Sequence, residues 1–154
     1  VSEAKATSNY AVYGALYNWA AVVDGGPGSD AVPSGIQAVC PDGWHVPGDE
    51  EWKQMEMFLG LTREQADGAI GVIRGTDQGA RVKSVTGWLN DNTGTNSTGF
   101  TGLPAGYRTN TGNFFGQGSF ANFWTATAAS EVNGWTRRLI NTSVNTSRTR
   151  RLFE

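Results

Sequence analysis

The stretch Cys40-Pro-Asp-Gly-Trp-His-Val-Pro-Gly-Asp-Glu-Glu-Trp-Lys53, continuing Gln54-Met-Glu-Met-Phe-Leu-Gly60, decides how this chain is read. A tight turn leads into a short extended piece, Trp44 to Val46. Pro47-Gly48-Asp49 then starts a helix: Asp49 offers an acceptor to the free amides of the first turn, and Glu50 and Glu51 suit its positive end. Trp52, Met55, Phe58 and Leu59 recur at helical spacing and predict the apolar face, and Gly60 closes the helix. The segment reads as a densely aromatic core anchor with a sharp start. Glu50 and Glu51 are neighbours, which a helix points about 100° apart, so they serve its start and not an acid–base dyad. The two carboxylates across a cleft that glycosidase chemistry needs are not identifiable in the sequence.

The length of 154 residues predicts one domain with room for a sizeable core. Charged residues make up 17%, below the roughly 25% usual for soluble domains. With 21 glycines and six tryptophans, this composition predicts a loop-rich fold of short strands, not a helical bundle. A net charge of −2 does not advertise nucleic acid or a membrane surface as partner. No apolar run approaches the length of a membrane span. The sequence opens Val1-Ser2, without Met or a signal-like segment, which reads as a processed or trimmed start or as a chain given without its targeting information. One cysteine makes no intrachain disulfide, so cysteine usage does not fix the compartment.

Before the opening stretch, Tyr13 to Asn18 is expected as a strand and Trp19 to Val23 as a short helical turn. Asp24 to Asp30 is a loop. After it, Thr62-Arg-Glu-Gln65 is a capping box that starts a second short helix. Gly68, Gly71, Gly75 and Gly79 keep the following helices short, and Ala80 to Val85 is helical or extended. Trp88 to Gly102 is a long polar loop, a length usually associated with function or disorder. The second half reads as all β: a turn at Thr109 to Gly112, then strands over Phe120 to Thr127, Trp135 to Ile140 and Val144 to Arg150, the last two joined near Asn141-Thr-Ser143.

Four segments in order, Tyr13-Gly-Ala-Leu-Tyr-Asn-Trp19, Cys40 to Pro47 with Glu51-Trp52, Gly102-Leu-Pro-Ala-Gly-Tyr-Arg108 and Phe123-Trp-Thr-Ala-Thr127, resemble the Fibrobacter succinogenes major paralogous domain family over about residues 10 to 154. The resemblance implies an α+β, C-type-lectin-like fold related to the domain of formylglycine-generating enzymes, with two short helices, small twisted antiparallel sheets and much irregular loop. It also implies bacterial, mostly exported and surface-associated proteins. Family members end in a strand reading roughly Gly-Phe-Ser-Val-Arg-Cys, whereas this sequence stops at Leu152-Phe-Glu154. The resemblance therefore implies a missing final strand, which would pair with the N-terminal one and carry the natural partner of Cys40. Some C-type-lectin-like proteins of this kind are variable proteins of diversity-generating retroelements, and the Asn, Thr, Ser and Arg texture of Asn133 to Arg151 fits such a surface.

His45, the sole histidine, sits in the scaffold motif with neither a nucleophile nor an orienting acid evident beside it, so it reads as structural. Cys40 would be a nucleophile or copper ligand in a formylglycine-generating enzyme, but those enzymes need two cysteines in the active region. Asn90-Asp91-Asn92 with Asp77 offers oxygen ligands to calcium without matching a defined calcium loop. Otherwise no cofactor is expected. Arg137, Arg138, Arg148, Arg150 and Arg151 concentrate positive charge near the C-terminus, close to Trp124 and Trp135.

These readings lead to a non-enzymatic, extracytoplasmic ligand-binding domain, at the cell surface, secreted or phage-borne. Its ligand would be a surface protein or a glycan, held by exposed residues of the C-terminal half: Trp135, Arg137, Asn141, Asn145, Arg148 and Arg150. Nucleic acid is not expected as a partner. The rivals are an oxidase of the formylglycine-generating type and a structural surface or fibre module.

Overall fold

The structure, a computed structural model, describes residues 8–90 and 94–152. It is α+β, with few, short helices and two small antiparallel sheets among the described residues. The helices are α1 (Ser8–Tyr13), α2 (Trp19–Val22), α3 (Asp49–Phe58), α4 (Arg63–Ala66) and α5 (Gln78–Val82). The strands are β1 (Ile73–Arg74), β2 (Tyr107–Arg108), β3 (Phe114–Phe115), β4 (Phe120–Ser130), β5 (Asn133–Ile140) and β6 (Thr146–Leu152). The main sheet has the order β1-β6-β5-β4 with antiparallel neighbours throughout, and β2 pairs with β3.

Helix α3 forms where the caps and the periodicity place it, with two differences. Gly48, not Asp49, is the N-cap. Glu51 supplies the capping contact, its Oε2 accepting from the Gly48 amide at 2.8 Å. Asp49 is thereby released to turn inward, where it is 5% exposed. The apolar face also differs: Trp52 and Leu59 are buried, but Phe58 is 88% exposed and Glu56 takes the inner position. The reason is angular. Glu56 follows Trp52 by four residues and shares its face, whereas Phe58 lies about 100° from Leu59. Trp44, read as part of a core anchor, is 71% exposed.

Tyr13 to Asn18 is not a strand: α1 ends at Tyr13, and Asn18 instead caps α2 by accepting from the Ala21 amide at 3.0 Å. The capping box at Thr62 forms as read, with Thr62 and Gln65 exchanging hydrogen bonds of 2.9 and 3.1 Å. Ala80 to Val85 divides between both readings: α5 runs to Val82, and Lys83 then bridges Gly102 as an extended residue.

Register assigns the two faces of the main sheet, because cross-strand partners share a face. The first face carries Ala121 opposite Leu139 and the row Phe123–Arg137–Arg148, with Trp135 opposite Arg150. Ala121 and Leu139 pack on Leu59, Val82 and Trp88. Phe123 joins Trp52 and Phe100 in a ring cluster with centroids 5.4–5.7 Å apart. The second face carries Phe120 opposite Ile140, the rows Asn122–Arg138–Ser147 and Trp124–Thr136–Thr149, and Arg151 opposite Gly134.

Strand β4 changes partner part-way along. Its register with β5 slips between Trp124 and Ala128, and the bulged residues turn their polar groups to the N-terminal half. The Trp19 indole donates to the Thr125 carbonyl at 3.0 Å, Ala126 N donates to Pro47 O at 2.9 Å, and Ala126 O accepts from Ser29 N at 2.9 Å. Thr127 Oγ1 accepts from the Asp49 amide at 3.0 Å and donates to Ser29 O at 2.9 Å. A second buried cluster forms here from Trp19, Val22, Val23, Val46 and Ala126. Close approach at Gly134 lets Trp19 lie against β5: a Cβ there would stand 2.5 Å from the indole.

Candidate functional site

Beneath the first face of the sheet lies a buried charge network that joins α3 to β1, β5 and β6. Arg137 is 1% exposed; it donates to Asp49 Oδ1 at 2.8 Å, to Asp49 O at 3.2 Å and to Glu56 Oε1 at 3.1 Å. Arg74 donates to the same Glu56 oxygen at 2.7 Å and to Ala66 O at 2.6 Å. Thr146 Oγ1 adds a third donor to Glu56 Oε1 at 3.2 Å. Arg148 forks onto Asp49, with Nε to Oδ1 at 2.9 Å and Nη2 to Oδ2 at 2.7 Å. Burial alone would raise the Asp49 pKa. The hydrogen bond from Arg148 and the charge of Arg137 more than reverse this and hold it at about 2. For Arg74, burial lowers the pKa against the opposing pull of Glu56.

This network sorts the expected binding residues. Arg137, expected on the surface, is a buried structural cation, because two carboxylates of α3 converge on its row. Asn141 is also buried, at 6%, and its Nδ2 donates to Leu89 O at 3.1 Å. Asn145 is half-buried and its amide donates to Gly75 O. The β5–β6 turn is fastened further by Lys83 Nζ, which donates to Ile140 O at 3.0 Å and Ser143 O at 2.7 Å. Burial lowers the Lys83 pKa to about 8. Asn141 and Asn145 therefore hold the scaffold.

Trp135, Arg148 and Arg150 do come together. Arg150 faces Trp135 across β5 and β6 and is exposed. The Arg148 guanidinium carbon lies 3.4 Å from the Trp135 ring centroid, a stacked pair. Because Asp49 grips the same guanidinium, the pair is held in one geometry.

The sequence reading did not anticipate a groove of about 930 Å³ at the β4 side of the sheet. Its floor is apolar and includes Val22, Cys40, Val46 and Phe123. Its walls come from segments far apart in sequence: Tyr17 and Asn18, then Tyr107 to Asn110, then Asn122, Trp124 and Arg151. The Trp124 indole donates to Tyr17 O at 2.9 Å, which fixes one wall to the other. The one advance signal was the recurrence of aromatic residues in the family-like motifs.

His45 acquires an acid that the sequence reading did not find: its Nε2 lies 2.7 Å from Glu51 Oε1. The other oxygen of Glu51 is occupied by the amides of Gly48 and Ser34, so the pair ties the turn to the start of α3. Although burial alone would raise the Glu51 pKa, these amides and His45 lower it. Cys40 is a half-buried free thiol. Of the calcium candidates, Asp77 is the N-cap residue of α5 and Asn90 has φ +58°, while Asp91 and Asn92 lie outside the described residues. Among the described residues no three His, Cys, Asp or Glu side chains gather as metal ligands, and no helix is long and apolar enough to cross a membrane.

A sheet fastened to one capped helix by buried ion pairs, with irregular segments around it, is the frame on which relationship can be judged. The chain belongs to the Fibrobacter succinogenes major domain family, whose model matches residues 1–152. No curated protein and no solved structure matches it.

Proposed function

We propose that this chain is a non-enzymatic, extracytoplasmic ligand-binding domain of C-type-lectin-like fold, with a binding surface on β5 and β6. The observation that carries this reading is the Trp135–Arg148–Arg150 group. Arg148 is locked by Asp49 and stacked on Trp135, beside the exposed Arg150. An arginine and an aromatic ring already immobilised lose little entropy when a partner arrives, which is what a binding hot spot requires. Around them Arg137, Asn141 and Asn145 secure the backbone, so exposed positions on these strands can change without loss of the fold. A surface of this kind suits diversification by a retroelement. The ligand class remains a surface protein or a glycan.

A protein and glycan array probed with the parent chain and with Trp135→Ala and Arg150→Ala tests the surface. Loss of the same ligand in both variants is expected; unchanged binding in both would refute the assignment. For diversification, the same gene is read from several isolates of one strain. Substitutions concentrated between Asn133 and Glu154 are expected, and uniform drift along the gene would remove that part of the proposal.

A further inference from the structure

The arginines of the two sheet faces differ in their partners. On the first face Arg74, Arg137 and Arg148 all end on Asp49 or Glu56, while Arg150 is exposed to solvent. On the second face Arg138 and Arg151, with Arg108 on neighbouring β2, form no ion pair and donate no side-chain hydrogen bond among the described residues. They lie on rings instead: Arg138 is 4.0 Å from the Phe120 centroid, Arg151 is 4.9 Å from Tyr107 and Arg108 is 5.9 Å from Phe114. The Nε atoms of Arg138 and Arg151 are buried without an acceptor, as is that of Arg74, but Arg74 has Glu56 and Ala66 O for its other nitrogens. Arg138 feels the like charge of Arg151: burial first, then that charge, lower its pKa. A buried N–H without an acceptor is costly, and two guanidiniums side by side add repulsion. An anion supplied from outside would relieve the repulsion and offer acceptors to the guanidiniums.

The groove supplies the setting. Arg108 and Arg151 line it, and no Asp or Glu does, although the chain as a whole is acidic. At about 930 Å³ it is near the upper end of small-ligand pockets, room for an oligomer and not for one small anion. Tyr17, Tyr107 and Trp124 add ring surface, and Asn18, Asn110 and Asn122 add amide donors and acceptors. Flat ring faces beside amide groups match a sugar ring, which has an apolar face and a hydroxylated edge; the arginines match an acidic substituent. We infer that this groove binds an acidic oligosaccharide, its carboxylate or sulfate groups held by Arg108 and Arg151 and its sugar rings laid on Tyr17 and Trp124. Asn122, Trp124 and Arg151 of this groove lie on the opposite sheet face from Trp135 and Arg148, which do not line it, so the site stands independently of the surface proposed above.

Cys40, the sole cysteine, lies in the groove floor and reports occupancy without a label elsewhere. The test measures the rate of Cys40 alkylation, together with direct binding, in the presence of polygalacturonate, dextran sulfate, neutral dextran and polyglutamate. Polygalacturonate or dextran sulfate is expected to bind and to slow alkylation, and the tighter of the two identifies the acidic group. Binding should weaken as salt rises from about 0.05 to 0.5 M. Arg108→Gln and Arg151→Gln should each weaken it about tenfold or more, the usual loss of a charge-assisted hydrogen bond. Tyr17→Ala, at an exposed position that does not hold the core, should weaken it with the melting temperature unchanged. Equal binding of neutral dextran, tighter binding of polyglutamate, absence of binding to both acidic polysaccharides at low salt, or full affinity in all three variants would each overturn the inference.

Discussion

Replacing Glu56 by Gln removes the one carboxylate that neutralises the Arg74 side of the buried network and leaves the volume almost unchanged. In the parent, a single oxygen accepts from Arg74, Arg137 and Thr146 at 2.7, 3.1 and 3.2 Å. The Arg74 and Arg137 side chains are each 2% exposed, so neither can turn to water. Asp49 and Glu56 face Arg74, Arg137 and Arg148, and Lys53 also reaches Asp49 at 3.4 Å, so cations already outnumber carboxylates and the variant widens the excess by one. Removing one partner of a buried pair costs about 3–5 kcal/mol, because the cations left behind stay desolvated. For a chain of 154 residues that is a fall in melting temperature of about 10–15 °C. Urea denaturation followed by tryptophan fluorescence measures it, with circular dichroism to establish that the variant is folded before denaturant is added. The double variant Glu56→Gln/Arg137→Met should lose less than the sum of the two single losses, since the second change removes a cation that the first leaves unpaired. A loss below about 1 kcal/mol in Glu56→Gln, or strict additivity in the double variant, would refute the reasoning, for it would place water or another acceptor within reach of these guanidiniums.

Acid should act mainly through Asp49. Its folded pKa of about 2 lies below the unfolded value of 3.8, so its stabilisation, about 2 kcal/mol, is present above pH 3.8 and is lost as pH falls through 2. Acid titration of the parent against Asp49→Asn checks this, and parallel curves through that window would count against it. Thr127→Val removes the hydroxyl that serves both Asp49 N and Ser29 O, and about 1–3 kcal/mol of stability should go with it in chemical denaturation. Gly79→Ala places a Cβ 2.1 Å from Asn145 O and should destabilise by at least about 1–3 kcal/mol, visible as a lower melting temperature. Phe58→Ser should change stability by less than about 0.5 kcal/mol, because the ring is 88% exposed; a larger loss would mean that the ring is covered in solution.

How far the sequence was legible can be judged at single positions. Helix α3 was readable because its start, period and end are local signals carried within the stretch itself. The same locality hid the roles of Asp49 and Glu56. An acid in a first turn looks like a cap, and an acid between Met55 and Met57 looks like a solvated residue, until Arg137 and Arg148 arrive from about ninety residues away. The three long strands were readable from their threonines, aromatics and turns. The bulge in β4 was not, since nothing in Trp124 to Ala128 marks which residues abandon β5. The groove went unseen for a similar reason: Tyr17 and Trp124 meet across 107 residues of sequence, and no local signal pairs them. Among the expected binding residues, composition singled out the arginines. It could not separate Arg137, neutralised inside, from Arg150, which faces out, because that depends on which strand face meets α3.

The bulge in β4 also sets an order of events during synthesis. Strands β4, β5 and β6 follow one another and pair as successive hairpins, with short loops to close. Helix α2 has no such neighbour in sequence: Trp19 waits for the carbonyl of Thr125, 106 residues later, and Ser29 and Pro47 wait for Ala126. A nascent chain therefore emerges with Trp19, Val22 and Val23 lacking the strand that covers them until residues 125–127 have been made, and of their buried cluster only Val46 is available before then. That apolar turn is therefore made early in the domain and is covered late.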